Sequence, residues 1–358
     1  MHAVIMAGGR GTRFWPRSRE KKPKHLLDIT SDRTMIQETV DRIKPLIKPQ
    51  NILIVTGKTH ARELMRQLPE IPAKNILIEP VGRNTAACIG LAAVHIQKNA
   101  QDDVMVVLPS DHGIADPGQY RKVIAAAARA AEKENALVTV GLKPTSPHTG
   151  FGYMEGGASA GSISGQALLC VKSFREKPDL KQARAFLQSG NFFWNSGMFI
   201  WKASTILDEI QRFLPDLYAG LMTIKSALGK PSEATTVLAI YRSLASVSID
   251  YGVMEKAKDV LMIPASFGWS DVGSWDTLWE ISEKDAKGNA RTRGSDVILE
   301  DTENSLVCGT QKLVALVGMK DVIVVETKDA LLICKKGRSQ DVKKIVDTLE
   351  ARGKNQLL

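Results

Sequence analysis

A short loop rich in glycine and arginine follows the first apolar segment and carries the strongest chemical signal in the sequence. After residues 2–6 the chain reads Ala-Gly-Gly-Arg-Gly-Thr-Arg. Glycines let the backbone approach a ligand closely and leave N–H groups free to face phosphate oxygens. The two guanidinium groups add a forked positive charge that suits phosphate. We therefore predict a triphosphate-binding loop formed by Gly8, Gly9, Arg10, Gly11, Thr12 and Arg13.

Two common phosphate-binding loops do not fit this spacing. A Walker loop ends in Gly-Lys-Ser/Thr, which is absent here. A dinucleotide fingerprint requires a third glycine at position 14, where Phe14 stands, and this disfavours an oxidoreductase. The remaining alternative is a tight turn without a ligand, which the arginines inside the turn make less attractive.

The elements that would position this loop alternate between short apolar runs and helical patterns over the first 145 residues. Strands are predicted at 2–6, 51–56, 75–78, 104–108 and 136–141, and helices at 34–44, 59–68, 85–97 and 117–134. The strands are apolar on both faces, which is typical of parallel strands covered by helices. The fold class is therefore α/β, with a doubly wound, mostly parallel, Rossmann-like sheet. Ligands of such sheets bind at the carboxyl ends of the strands.

The rest of the chain changes character twice. Residues 150–290 are mixed, with helices predicted at 180–188 and 203–227. From about Gly294, short strand-like pieces follow one another closely and a helix is predicted at 339–351. We predict one large α/β domain over residues 1–290 and a small β-rich module over residues 291–358 that ends in a helix.

Composition excludes several classes of function. The chain has 358 residues, 44% hydrophobic, without an apolar run long enough for a membrane helix and without a secretory signal. Its net charge of +9 is scattered rather than clustered with aromatics, so a small polyanionic ligand is favoured over nucleic acid. The cysteines are far apart and lack metal-ligand spacing, which favours a reducing cytoplasm. We expect no nucleic-acid or membrane partner.

A series of segments resembles the sugar-nucleotide pyrophosphorylase family. Gly-Gly-x-Gly-Thr-Arg-Phe-x-Pro at residues 8–16 and Pro-Lys-His-Leu-Leu at residues 23–27 are similar to its signature. Within that family the similarity is to mannose-1-phosphate guanylyltransferases, through residues 79–86, 108–112, 149–153, 174–178, 194–199, 248–256 and 269–275. Each segment is weakly specific, but together they run in the family's order over most of residues 1–275.

This resemblance implies attack of mannose 1-phosphate on the α-phosphorus of GTP, giving GDP-mannose and pyrophosphate. Such a reaction depends on holding two anions in line and neutralising their charge. Arg13 would stabilise the triphosphate, and Lys24 would reach the α-phosphate or the leaving group. Asp111 and Asp271 would share one Mg²⁺ or another divalent cation, because hard cations prefer oxygen ligands.

The resemblance also implies where the sugar and the base bind. For the sugar phosphate it implies Gly152, Glu176, Lys177 and Asn195. For the nucleotide beyond the loop it implies Glu79, Gly82, Arg83, Asn84 and Ser110. The carboxylate of Glu79 could accept hydrogen bonds from N1–H and N2–H₂ of guanine, which adenine lacks.

Two other interpretations remain open at this point. A related pyrophosphorylase would use another nucleoside triphosphate or hexose 1-phosphate on the same loop, and a catalytically silent regulator would bind a sugar nucleotide without turnover. Some mannose-1-phosphate guanylyltransferases carry a fused isomerase domain, for which we expect no room before Leu358, so a single activity is predicted. The β-rich module could cover an apolar face or support a homodimer through exposed strand edges.

Overall fold

A computed structural model describes residues 1–100, 102–309 and 312–358 of the chain, without the side chains of residues 99 and 100. Its strands, in chain order, are β1 His2–Ala7, β2 Ile52–Gly57, β3 Ile76–Glu79, β4 Val104–Pro109, β5 Gly113–Ile114, β6 Leu137–Leu142, β7 Tyr153–Ile163, β8 Gln166–Arg175, β9 Phe192–Lys202, β10 Val260–Ala265, β11 Trp269–Ser270, β12 Ala290–Arg291, β13 Val297–Glu300, β14 Leu306–Cys308, β15 Val314–Val317, β16 Val322–Glu326 and β17 Leu331–Lys335.

The helices lie between these strands, mostly where the sequence periodicity predicts them. They are α1 Met35–Ile43, α2 Lys58–Gln67, α3 Asn84–Ala100, α4 Pro117–Glu134, α5 Leu180–Ser189, α6 Ala203–Phe213, α7 Pro215–Ala227, α8 Glu233–Ser243, α9 Trp275–Ile281 and α10 Val342–Ala351. The helix predicted at 203–227 is interrupted, because Pro215 starts a new helix after Leu214.

The described residues divide into two compact units that interleave along the sequence. Unit 1 comprises Met1–Gly8, Arg42–Pro109 and Ala115–Gly268, and unit 2 comprises Gly9–Asp41, Ser110–Ile114 and Trp269–Leu358. The predicted boundary near residue 290 is a different division of the chain, and it stays a prediction.

Unit 1 is built on a large sheet with the strand order β3-β2-β1-β4-β9-β6-β10-β8-β7. The pairs β3–β2, β2–β1, β1–β4 and β6–β10 are parallel. The side chains of the predicted strands β1, β2, β4 and β6 are mostly buried on both faces, whereas Ile78 in β3 is exposed. Strand β9 runs antiparallel between β4 and β6, and β7 and β8 extend the sheet as an antiparallel pair. The sequence pattern did not predict β7, β8, β9 or β10. In β7 glycines and exposed residues interrupt the apolar alternation, and in β8 exposed polar residues do so.

Unit 2 has small sheets and its own apolar core. The sheet β12-β14-β16-β17 and the pairs β13–β15 and β5–β11 belong to it. Its core joins distant parts of the chain, because Phe14 and Trp15 pack in one cluster with Trp275, Leu306 and Val346. The predicted α/β class with a β-rich C-terminal part is confirmed. In the part of the chain that the structure describes, no helix is long and apolar enough to cross a membrane.

Candidate functional site

The predicted phosphate loop is a tight turn packed against Lys24 in unit 2. Gly9 and Gly11 adopt φ values of 91° and 62°, which favour glycine. A Cβ at Gly11 would lie 2.5 Å from the Cβ of Lys24, so only glycine fits there. The Gly11 carbonyl accepts hydrogen bonds from Phe14 N at 2.9 Å and from the Ser18 hydroxyl at 2.7 Å. Gly8, the last residue of this part of unit 1, and Gly9 have open space where a Cβ would lie.

The arginines of the loop contact the C-terminal part of unit 2. Arg10 Nη1 donates to Glu350 Oε1 at 2.6 Å, and Arg13 Nη1 donates to Gln340 Oε1 at 3.0 Å. Arg10 is exposed, so its ion pair is screened by solvent and contributes little to stability. Thr12 lines a small cavity together with Arg10 and Glu350. The sequence did not predict that acceptors from α10 and the turn before it hold these guanidinium groups.

Lys24 is buried, and its ammonium donates hydrogen bonds to the two segments that carry the predicted aspartates. Its Nζ donates to Asp111 Oδ2 at 2.8 Å, to the Asp111 carbonyl at 2.9 Å and to the Asp271 carbonyl at 2.6 Å. An ammonium has three N–H donors, so the described residues use its full capacity. The structure therefore brings Lys24, Asp111 and Asp271 together within unit 2, although Lys24 was expected to point at a phosphate.

The charge on Lys24 determines the ionisation of Asp111. Burial of the carboxyl would raise its pKa, but the neighbouring ammonium and His112 outweigh this effect and hold the pKa at about 2. Asp111 is therefore a carboxylate at neutral pH, and about a third of its side chain (33%) stays exposed. The preceding Ser110 is buried, and its carbonyl accepts a hydrogen bond from the Thr39 hydroxyl.

Asp271 lies in a strained turn that follows β11. Val272 is fully buried with a φ of 44°, an unfavourable conformation for a β-branched residue. Its N–H donates to the Ser270 hydroxyl at 3.0 Å. A Cβ at Gly273 would lie 2.6 Å from Asp271 Oδ2, so glycine leaves room for this carboxylate. Strain of this kind is common where a side chain must be held in a set direction.

The donor set of Asp111 and Asp271 fits a Mg²⁺ that is completed by substrate phosphates and water. Mg²⁺ is usually held by one or two carboxylates plus phosphate oxygens rather than by a protein cage. Within residues 1–100, 102–309 and 312–358, no cluster of three or more His, Cys, Asp or Glu could hold a metal ion. Asp111 Oδ2 and the Asp271 carbonyl lie within 2.8 Å of the same lysine nitrogen, so the two segments are adjacent.

In unit 1, the predicted base-binding residues surround the end of β3 and the start of α3. Burial raises the pKa of Glu79 to about 7, and the Tyr241 hydroxyl only partly offsets this. Glu79 Oε1 is buried without a hydrogen-bond partner in the described part of the chain. Arg83 donates to the carbonyls of Tyr241 and Arg242 at 2.6 and 2.7 Å, so this guanidinium holds α8 rather than pointing outward.

The start of α3 is also partly occupied by the protein itself. Asn84 has a φ of 65°, and its side-chain oxygen accepts from Thr85 N at 2.8 Å. Ala86 N donates to the Val247 carbonyl at 3.2 Å. Gly82 is exposed and has open space where a Cβ would lie. Of these predicted base-binding residues, Glu79 has an unpartnered oxygen that could accept a hydrogen bond from a ligand, and Gly82 leaves space for a ligand.

The predicted sugar-binding residues do meet in unit 1. A Cβ at Gly152 would overlap Glu176 Oε2 and lie 3.2 Å from the Cβ of Asn195, so glycine allows both side chains to approach closely. Glu176 Oε2 is buried and, among the residues that the structure describes, has no hydrogen-bond donor. Asn195 N donates to the Gly152 carbonyl at 2.8 Å, which places the asparagine on the same glycine. Lys177 is exposed with its ammonium 3.3 Å from Glu176 Oε1.

Two acidic residues that the sequence did not single out contact the same group of residues. Asp250 Oδ1 accepts from Asn195 Nδ2 at 2.9 Å, and Glu255 Oε1 accepts from Glu176 N at 3.1 Å. Burial raises the pKa of Glu176, and Asp250 raises it further. Both residues lie in the segment 248–256, which resembled the family, but no local pattern showed which of its side chains would face Asn195.

Comparisons with known proteins cover nearly the whole chain. The nucleotidyl transferase family matches residues 2–288, and the MannoseP isomerase/GMP-like beta-helix domain matches residues 295–349. The alginate biosynthesis protein AlgA of Pseudomonas aeruginosa is 39% identical over 99% of this chain and 73% of its own length. The mannose-1-phosphate guanylyltransferase of Escherichia coli strain K12 is 39% identical over 99% of this chain and 75% of its own length.

A solved structure is similar over its full length. It comes from Thermus thermophilus and is described as a mannose-1-phosphate geranyltransferase. The two structures agree with a TM-score of 0.89 at 32% sequence identity, covering 98% of this chain and 99% of the other.

Proposed function

The chain belongs to the nucleotidyl transferase family, and we propose that it transfers GMP from GTP to α-D-mannose 1-phosphate, giving GDP-mannose and pyrophosphate. The predicted family is thereby confirmed, and the chain is an enzyme. The observation that carries the reaction is the cluster of Lys24, Asp111 and Asp271 beside a glycine loop that ends in Arg13.

In this reaction an oxygen of the sugar phosphate forms a bond to the α-phosphorus of GTP. The bond from that phosphorus to the bridging oxygen breaks, and pyrophosphate leaves with the electron pair. Both reactants are anions, so rate depends on alignment and on charge neutralisation rather than on a covalent intermediate. Arg13 and Arg10 supply forked positive charge for the triphosphate, and the turn around Gly11 keeps their backbone close to it.

The carboxylates of Asp111 and Asp271 would hold Mg²⁺ or another divalent cation. When bound, the cation polarises the phosphate oxygens and neutralises charge that develops at the leaving group. Asp111 is suited to this role because its low pKa keeps it ionised. The Val272 turn holds the segment that carries Asp271 in one conformation. The identity of the cation as Mg²⁺ is part of the proposal.

The sugar phosphate is assigned to Gly152, Glu176, Lys177 and Asn195. Sugar hydroxyls are donors, and the buried Glu176 Oε2 is an acceptor that has no donor in the described structure. A hydroxyl that donates to this oxygen would satisfy it, which gives a physical reason for binding a polyol. The exposed Lys177 ammonium is suited to pair with the 1-phosphate.

Guanine is assigned to Glu79 by the same argument. Its buried Oε1 would accept from N1–H and N2–H₂ of guanine, and both donors are lacking in adenine. Burial raises the pKa of this carboxyl to about 7, so donors from the base would favour the ionised form that accepts them. Gly82, Asn84 and Ser110 remain proposed nucleotide contacts, as does Arg83 despite its bonds to backbone carbonyls.

A cytoplasmic location, a homodimer and the absence of nucleic-acid or membrane partners stay predictions. Cys88, Cys170, Cys308 and Cys334 are free thiols in the structure, which agrees with a reducing compartment.

The test is pyrophosphate release with each of GTP, ATP, UTP and dTTP, combined with mannose 1-phosphate or glucose 1-phosphate. We expect the highest kcat/KM for GTP with mannose 1-phosphate, and release that depends on a divalent cation. A much higher rate with UTP or dTTP would overturn the guanylyl assignment. Binding of the nucleotide without pyrophosphate release in any combination would instead indicate a silent regulator.

A further inference from the structure

We propose that Lys24 is an internal counter-ion of the Asp111–Asp271 site, which keeps a divalent cation from binding tightly until an anionic substrate arrives. The inference rests on the proposed function, because it takes Asp111 and Asp271 as the cation ligands. It differs from the role given to Lys24 by family resemblance, in which the lysine acts on the substrate phosphate.

The contacts of Lys24 support this role. Its side chain is 9% exposed, and its ammonium lies 2.8 Å from Asp111 Oδ2. Its remaining donors bind the backbone carbonyls of Asp111 and Asp271 at 2.9 and 2.6 Å. A single positive charge therefore bridges the segments that carry both proposed ligands. A lysine kept free for substrate would be expected to retain at least one N–H that faces solvent.

The position of this charge opposes a divalent cation in two ways. Asp111 Oδ2 already accepts a hydrogen bond from the ammonium, so one carboxylate oxygen is committed. A cation that binds Asp111 also experiences repulsion from the ammonium, which lies 2.8 Å from that carboxylate on a side chain that is only 9% exposed. Asp271, in contrast, accepts through its carbonyl, and its carboxylate has no hydrogen-bond donor among the described residues.

An anionic substrate would remove this opposition. Phosphate oxygens offer the ammonium new acceptors and add negative charge beside the cation, so Lys24 can exchange Asp111 for phosphate. Nucleotide and cation would then each increase the affinity of the other, as linkage requires. The same residue would thus keep the free protein from holding a cation and later serve the substrate phosphate.

The direct test measures Mn²⁺ alone, without nucleotide, by the loss of the electron paramagnetic resonance signal of free Mn²⁺ on titration with protein. We expect Lys24→Met and Lys24→Gln to bind Mn²⁺ at least about tenfold more tightly than the wild type. The Gln variant keeps an N–H donor toward Asp111 and guards against failure to fold, which thermal unfolding checks. Lys22→Met is the matched control, since Lys22 is exposed in the same basic segment and its loss changes the net charge equally.

Several outcomes would overturn the inference. Neutral variants of Lys24 that fold and bind Mn²⁺ no more tightly than the wild type would contradict it, as would an equal gain in Lys22→Met. The double variant Lys24→Met with Asp111→Asn should lose the gain. If Asp111→Asn instead leaves Mn²⁺ binding intact in both backgrounds, the cation ligands assigned in the proposed function fail as well. If Asp111→Asn abolishes binding but Lys24 is without effect, only the counter-ion role fails.

Discussion

The acidic residues of the two units differ in their hydrogen-bond partners and in the direction of their pKa shifts. In unit 2 the Asp111 carboxylate has an ammonium 2.8 Å away, and its pKa is held at about 2. In unit 1 Glu79 and Glu176 each have a buried oxygen that lacks a donor in the described structure, and burial raises the pKa of both. The charge of Asp111 is thus already neutralised by Lys24. Glu79 and Glu176, in contrast, each have an acceptor oxygen that an incoming ligand can satisfy by donating a hydrogen bond.

This difference matches the chemistry of the proposed substrates. A triphosphate and a cation bring charge, and the residues assigned to them are already charge-paired in unit 2. A sugar and a base bring hydroxyl and N–H donors, and the residues assigned to them in unit 1 have acceptors to spare. The pKa shifts of these carboxyl groups, lowered for Asp111 and raised for Glu79 and Glu176, also predict opposite effects of pH on stability. Asp111 contributes stability that is present above its unfolded pKa of 3.8 and is lost as pH falls toward 2.

The largest expected effect comes from breaking the charge-paired side. Asp111→Asn keeps the shape of the side chain but removes the charge, so we expect kcat/KM to fall at least about a hundredfold, as for loss of one preorganised electrostatic contact. Steady-state pyrophosphate release measures this. Asp296→Asn, an exposed change in the same unit, is the control. A loss of less than about threefold in Asp111→Asn would contradict the role of Asp111.

Breaking the acceptor side should give a smaller effect that is specific to the sugar. Glu176→Gln weakens a hydrogen bond to a charged group, worth a factor of about 10 to 100 in kcat/KM for mannose 1-phosphate. The KM for GTP should change little. Because the pKa of Glu176 is raised, wild-type activity at low sugar concentration should decline as pH falls through it, and the variant should lack this decline. Glu132→Gln on the exposed face of α4 is the control, and an unchanged pH profile in Glu176→Gln would exclude this role.

The raised pKa of Glu79 should change how the free energy of unfolding depends on pH. Its pKa is about 7 in the folded chain against 4.5 for an ordinary glutamate, so the folded state holds a proton that the unfolded state has lost between these values. Stability contributed by the protonated form is therefore lost as pH rises from 4.5 to 7. Glu79→Gln should remove this loss and gain about 2 kcal/mol relative to the wild type between about pH 5 and pH 8. Urea unfolding at both pH values measures it, and parallel pH dependences would contradict the assignment.

The smallest effect is expected at the exposed ion pair between Arg10 and Glu350 in unit 2. Glu350→Gln removes the partner of Arg10 and should lower the KM for GTP by no more than about fivefold, because exposed ion pairs are weak. Glu303→Gln, which removes an exposed partner of Lys320 in the same unit, controls for the change in net charge. A higher KM for GTP in Glu350→Gln would show that Glu350 positions Arg10 instead of competing with phosphate.

The elements that carry the site were predictable where local pattern determines structure. Apolar runs predicted β1 and β4, and Asp116 followed by Pro117 predicted the start of α4, where the Asp116 side chain accepts from Gln119 N. Strand β9 was not predictable, because its insertion between β4 and β6 depends on pairing between residues far apart in the sequence. A close succession of short C-terminal strands was predicted, but the core that they share with Phe14 and Trp15 was not.

The candidate site divides in the same way. The glycine loop was predicted from its own glycines and arginines, and the aspartates from the resemblance to a family. The structure brings the segments of Asp111 and Asp271 to one lysine. Family resemblance could not show that Lys24 is buried among them, since its partners lie 87 and 247 residues away in sequence. The contacts of Asp250 with Asn195 and of Glu255 with Glu176 were equally invisible to local pattern.

The central claim is that Asp111 acts on charge and Glu176 on the sugar. Its most direct test is the ratio of kcat/KM for mannose 1-phosphate to that for glucose 1-phosphate. We would measure this ratio with GTP in the wild type, Asp111→Asn and Glu176→Gln. We expect Asp111→Asn to lower both values and to leave the ratio as in the wild type, because the proposed role of Asp111 is to hold a cation and not to contact the sugar. We expect Glu176→Gln to change the ratio, since it alters an acceptor for a sugar hydroxyl. A ratio that shifts in Asp111→Asn but stays constant in Glu176→Gln would contradict the account.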